Sequence, residues 1–209
     1  MSIRIKVISL ILGWLVFDQV VKILVKTNMS LGESIPVLGN WFILHFVENN
    51  GMAFGVTFGG TAGKIALTLF RLVAVGVLGY FIHRMIMRGA PTGFILALGL
   101  ITAGAAGNII DSAFYGMVFS ESGYAQGMLP NSGVAELFPK EGGYGHFLQG
   151  RVVDMLYFPI IKGTWPDWFP FWGGRNFLFF RPVFNLADTA ITCGVAWILL
   201  FQRKTLKTL

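Results

Sequence analysis

Four aspartates of this 209-residue chain stand in or beside apolar sequence: Asp18, Asp111, Asp154 and Asp188. An ionised Asp costs roughly 2.5–3.5 kcal/mol at the centre of a membrane helix, and less near the interface. Several of them at one depth need a reason. Two carboxyls brought together in a low-dielectric site cannot both ionise, so they share a proton. Such a pair can deprotonate a water and protonate a peptide leaving group, which is aspartic-protease chemistry, and its apparent pKa values belong to the pair. Three amides accompany the acids: Asn49, Asn108 and Asn185. Asn108 and Asp111 are three apart, as are Asn185 and Asp188, so a helix puts each pair on one face. Lys22 stands four residues after Asp18, the spacing of a helical ion pair worth a few tenths of a kcal/mol.

Other chemistries lack their residues. His45, His83 and His146 are scattered and form no H-E-x-x-H pair, so a zinc protease is not expected. There is no G-x-S-x-G elbow for a serine hydrolase. The single cysteine, Cys193, excludes an intramolecular disulfide framework and a Cys-rich metal site. Arg71 lies inside an apolar run, where it either snorkels to the nearer face or pairs with an inward carboxylate.

The elements that must position these residues follow from composition. The chain is 55% hydrophobic and only 12% charged. That excludes a disordered chain and leaves too few charges to cover a soluble globule, so a polytopic membrane protein is expected. Four apolar stretches approach the roughly 20 residues of a spanning helix: about 5–25, 65–82, 91–110 and 183–201. Asp18 and Lys22 interrupt the first, which therefore reads as a retained helix and not a cleaved leader. Between the spans lie two extramembrane segments, about 27–63 and 112–182. In the first, Trp41–Val47 reads as a strand and the Asn50-Gly51 step as a tight turn. The second holds Val152-Val153-Asp154-Met155-Leu156 and a run with Trp165, Trp168 and Trp172, aromatics that prefer the headgroup layer. Gly99, Gly104 and Gly107 in the third span point to close helix packing.

Orientation comes from charge. Both chain ends and the link between spans two and three carry Arg4, Lys6, Arg84, Arg88, Arg203, Lys204 and Lys207 and no acid. The positive-inside rule puts that side, with both termini, in the cytoplasm. The net charge of +6 is read as helix ends held at anionic lipid, not as a nucleic-acid surface.

Five stretches together resemble the lipoprotein signal peptidases (signal peptidase II): Asp18-Gln19-Val20-Val21-Lys22, Asn49-Asn50-Gly51-Met52-Ala53-Phe54, Gly104-Ala105-Ala106-Gly107-Asn108-Ile109-Ile110-Asp111, Val152-Val153-Asp154 and Phe184-Asn185-Leu186-Ala187-Asp188. They occur in the family's order and cover the chain except about 116–150 and parts of 160–181. The resemblance implies an aspartic endopeptidase of the bacterial inner membrane. It would cleave prolipoproteins N-terminal to a diacylglyceryl-modified Cys, with its active site at the periplasmic face and with globomycin as inhibitor. It puts the catalytic pair on Asp154 and Asp188. Substrate binding or support of the pair falls on Asp18, Lys22, Asn49, Gly51, Asn108, Asp111 and Asn185. The family has Arg directly after the Asp matching Asp111, where this chain has Ser112; Arg151 is the candidate replacement. The segment 116–150, rich in glycine, is an insertion with no family role.

The expectation is thus one membrane peptidase domain over 1–209. It is all-α with a small β-rich periplasmic part, four transmembrane helices and both termini cytoplasmic. It is monomeric, embedded in lipid, and needs no metal, cofactor or nucleic acid. The alternatives are a small ion-coupled transporter, whose carboxylates would spread through the membrane depth, and a non-catalytic lipoprotein-binding protein.

Overall fold

The computed structural model describes residues 1–50, 60–124, 133–159, 161–179 and 182–207. Three long apolar helices dominate: α1 (Ile3–Asn28), α2 (Gly60–Met87) and α3 (Thr92–Val118). Each is long and apolar enough to cross a bilayer. A shorter apolar helix, α4 (Leu186–Phe201), has 16 residues and leads into α5 (Arg203–Lys207). The stretch expected as a fourth span from about 183 instead opens with a strand, Val183–Phe184, and its helix is shorter than the three candidate spans. The third runs past 110 to Val118, so Asp111 lies inside the helix and does not close it.

Helix α3 is the hub and packs on α1, α2 and α4. Of its most apolar window 61% is buried, against 17% for α1 and 11% for α2. The outer face of α1, with Ile8, Leu12, Val16 and Val20, is exposed at a helical spacing, as a lipid-facing stripe requires. Small residues bring α3 and α4 together. A Cβ on Gly104 would meet Ile191 Cγ1 at 2.8 Å, and one on Gly194 would meet Ala97 O at 2.7 Å. Val7, Ile82, Met85, Phe94, Ile95, Leu98 and Ile198 form the apolar core at the end of the bundle that carries both chain ends. There Arg4 Nη2 reaches Met87 Sδ at 3.4 Å.

At the other end sits a four-stranded antiparallel sheet in the order β1-β2-β3-β6. Its strands are β1 (Ser34–Leu38), β2 (Phe42–Asn49), β3 (Val152–Tyr157) and β6 (Val183–Phe184). The aromatic run expected as a strand is β2, extended to Asn49, while Gly51 of the expected turn lies outside the described residues. The Val-Val-Asp stretch is β3. A second core of Val25, Met29, Phe46, Tyr115, Phe119, Val153 and Met155 seats this sheet on the ends of α1 and α3. A separate hairpin, β4 (Ile161–Thr164) and β5 (Asn176–Phe179), carries the tryptophan-rich tip. Trp165 stacks on Phe169 at 4.5 Å between ring centroids. Trp168 and Phe171 are 78% and 92% exposed.

Candidate active site

The four aspartates converge at the sheet end of the bundle. Asp154 is on β3 and Asp188 in the first turn of α4. A chain of amides links their carboxyls. Asn185 Nδ2 donates to Asp154 Oδ1 at 2.7 Å and to Asn108 Oδ1 at 3.0 Å. Asn108 Nδ2 donates to Asp188 Oδ1 at 2.9 Å. Asn49 Nδ2 donates to the other oxygen of Asp154. Burial pushes the Asp154 carboxyl up to about 7, and the neighbouring Asp188 carboxylate acts in the same direction; the Asn49 and Asn185 amides oppose both.

Sequence spacing suggested that Asn185 and Asp188 share a helix face. The structure brings them together differently. Asn185 is the N-cap of α4: its side chain accepts from Asp188 N at 2.9 Å, and the Asp188 side chain accepts from Asn185 N at 3.4 Å, a reciprocal capping box. The helix starts at Leu186 because the two residues before Asn185 are held in β6. Asn185 thereby keeps both amide hydrogens for Asp154 and Asn108.

Asp18 and Asp111 occupy matching positions one step away. Asp18 Oδ1 accepts from Ala187 N at 2.9 Å, the backbone amide just before Asp188. Asp111 Oδ2 accepts from Val153 N at 3.3 Å, the amide just before Asp154. Each acid therefore holds the backbone of one member of the pair, and Asp18 also sits at the positive end of the α4 dipole. Lys22 joins them: its Nζ is 3.0 Å from Asp18 and 2.7 Å from Asp111, and it donates to Asn108 Oδ1 at 2.9 Å. All three charged side chains are fully buried. The Asp18–Lys22 spacing thus makes the ion pair it suggested, here with a second acid from α3.

Gln19 completes this group, although its chemistry did not single it out beforehand. It donates to Asp111 Oδ1 at 2.9 Å and accepts from Tyr115 OH at 3.1 Å. The signal was its place beside Asp18 in an otherwise apolar helix. Gly107 is small for a direct reason: a Cβ there would lie 2.7 Å from Asp18 Oδ2. Ser112 turns its hydroxyl back to Asn108 O at 2.9 Å.

Arg151 lies elsewhere. Its guanidinium donates to Glu48 Oε2 at 3.0 Å and to Glu121 Oε1 at 2.5 Å, so those donors are engaged by protein carboxylates. Arg71 on α2 is near enough to Asp188, Asp111 and Asp154 to feel their charge. Among the described residues no group of three or more His, Cys, Asp or Glu is arranged to hold a metal ion.

A family model described as signal peptidase (SPase) II matches residues 10–203. A lipoprotein signal peptidase of Porphyromonas gingivalis is 48% identical over 204 residues, covering 97% of this chain and 85% of its own. One of Amoebophilus asiaticus is 38% identical over 195 residues, covering 92% and 75%. A bacterial membrane enzyme solved at 1.9 Å has a similar fold, with a TM-score of 0.58 and 23% identity over 95% of this chain and 93% of that one. Five separated motifs, the amide-linked aspartates they bring together and a match over nearly the full length lead to one conclusion: the chain belongs to the signal peptidase II family of peptidases.

Proposed function

We propose that this protein is an aspartic endopeptidase that removes the signal peptide from prolipoproteins, cutting N-terminal to a Cys that already bears a diacylglyceryl group. The observation that carries the reading is the pair Asp154 and Asp188, held by one chain of amides at a single end of an apolar bundle. Acids gathered at one end also favour a hydrolase over an ion-coupled carrier, which would distribute them along a path.

The chemistry follows from one proton held between two carboxyls. The ionised Asp takes a proton from water as the water oxygen bonds to the scissile carbonyl carbon. The protonated Asp donates to the carbonyl oxygen. The C–N bond then breaks as a proton passes to the leaving nitrogen, and the pair returns to its one-proton state. Asn49, Asn108 and Asn185 hold the carboxyls in register. The apolar walls limit water and strengthen these interactions.

In this reading the bundle lies in the bacterial inner membrane with four spans, both termini in the cytoplasm and the pair at the periplasmic face. Helix α4 has 16 residues, a rise of about 24 Å, against a hydrocarbon layer of about 30 Å. With Arg203 at the cytoplasmic surface, Asp188 then lies in the outer third of the apolar layer. There a lipidated Cys can present its peptide bond while its acyl chains stay in the bilayer. The protein acts as a monomer without a cofactor, and globomycin competes for the groove.

The test uses purified protein in detergent and a diacylglyceryl-modified prolipoprotein. Wild type releases the signal peptide and globomycin blocks release; Asp154→Asn and Asp188→Asn fold but do not cleave. Because burial and Asp188 together raise Asp154 to about 7, the one-proton form is lost and the rate falls as pH rises beyond that region. Cleavage at the wild-type rate by either variant rules the pair out.

A further inference from the structure

A second buried polar cluster lies one helical turn beyond the first, and the chemistry above does not use it. Lys26 is fully buried. Its Nζ ion-pairs with Glu48, donates to Ser122 Oγ at 2.7 Å, and lies 5.3 Å and 5.1 Å from the ring centroids of Phe119 and Tyr144. Glu48, whose side chain is 2% exposed, also accepts from Ser122 Oγ at 2.8 Å and from Arg151. Arg151 continues to Glu121 and covers the Tyr144 ring at 4.8 Å. The Tyr144 hydroxyl in turn accepts from Arg151 N at 2.7 Å. Burial works to raise the Glu48 carboxyl, but Lys26, Arg151 and Ser122 outweigh it and hold the group below the usual range, so it is ionised.

Three of these partners, Glu121, Ser122 and Tyr144, come from the 116–150 insertion. What they grip is the residue before Asn49. In the ladder Glu48 pairs with Val153 and Asn49 with Val152, and Asn49 donates to Asp154. A buried carboxylate tied at both oxygens fixes the β2 backbone at that point. Val47 pairs with Asp154 in the same ladder, so removing the ties leaves the backbone there paired and frees the end of β2 that carries the Asn49 amide.

We propose that the insertion is a positioning element for catalysis: through Glu48, the Lys26–Ser122–Arg151–Tyr144 cage holds Asn49 against Asp154. Glu48 is the central positioning residue, and Arg151 acts through it. The proposal rests on Asp154 and Asp188 being the reacting pair.

The test is a cycle of Glu48→Gln, Asn49→Ala and the double variant, in purified protein with the lipid-modified prolipoprotein. Glu48→Gln should lower kcat roughly tenfold or more with KM little changed, as small displacements of a positioned group do. It should also move the basic limb of the pH profile upward. Asn49 donates to the ionised form of Asp154, so a looser Asn49 favours the protonated form; Asp188, Asn185, Lys22 and Arg71 of α2, which also act on Asp154, are unchanged. In the Asn49→Ala background the Glu48 change should then have no further effect on kcat or on that limb. Independent, multiplicative effects would overturn the proposal.

Should Glu48→Gln fail to fold, Lys26→Met with Glu48→Leu removes the charges as a pair, a replacement that buried ion pairs tolerate. The same shift is expected; an altered melting temperature with an unaltered pH profile would mean the cluster serves only stability. Activity retained by Asp154→Asn would instead strike the reading of the pair, so the two failures are distinguishable.

Discussion

Lys22 and Lys26 are one turn apart on α1, both fully buried, and the clusters around them are built on opposite principles. Around Lys26 the charges balance: Lys26 and Arg151 face Glu48 and Glu121. Around Lys22 they do not. Its one charge is shared by Asp18 and Asp111, and it reaches Asp188 through the Asn108 amide. The hydrogen bonds to Asp154 and Asp188 described above come from amides, neutral donors that hold a carboxyl without forcing it to ionise. A lysine in contact would favour the charged form of both acids and, in the mechanism proposed above, remove the proton it uses. One fold thus keeps a charge-balanced cluster and an acid-rich one within a single helical turn.

The largest test of this contrast is Asp154→Asn. Its cleavage rate should fall at least about a thousandfold, yet the protein should melt at a higher temperature than wild type at pH 8. The folded state holds the Asp154 proton up to about 7, whereas the unfolded chain releases it near the ordinary Asp value. Wild type therefore loses stability, on the order of a few kcal/mol, as pH rises between those values, and the amide variant does not. Equal melting temperatures at pH 5 and pH 8 would argue against a raised Asp154.

Lys22→Met comes next. It leaves Asp18 and Asp111 buried without a cation, which costs about 3–5 kcal/mol. Lys26→Met should cost less, since Arg151 still serves Glu48. Thermal unfolding of both variants decides it, and the reverse order would break the comparison.

Gly107→Ala should cost about 1–3 kcal/mol, because the new methyl lands on Asp18 Oδ2 and near Ala187 Cβ at 3.3 Å. Cleavage should fall with it, as the Asp18 hold on Ala187 loosens. The smallest effect belongs to Glu121→Gln. Its side chain is half exposed, so the stability change should stay within about 1 kcal/mol, measured by the same unfolding.

Much of this was legible in the residues. Apolar runs announce helices because a bilayer leaves few other ways to satisfy a backbone, and three of the four expected runs are long helices. Asn108 and Asp111 share a face because both lie well inside α3, where the three-residue spacing holds. For Asn185 and Asp188 the same spacing led to a face where the chain makes a cap. Whether residue 185 is inside the helix or before it depends on the pairing of Val183–Phe184 with β3, about thirty residues away in sequence. Arg151 offered a charge near Asp154 in sequence, but side chains alternate along extended backbone, and its guanidinium turns to Glu48 and Glu121.

Taken alone, the amino-acid order determined what depends on neighbours a few residues apart: the apolar helices, the strand in β2, the family motifs and the acids that have no business in lipid without a purpose. Tertiary structure decided which acid holds which backbone, that Lys22 bridges two of them, and that the Asn49, Asn108 and Asn185 amides reach Asp154 and Asp188. Those outcomes join residues separated by thirty to nearly one hundred and seventy positions. No local preference encodes them, because the energy that selects them appears only once distant segments have packed and excluded water.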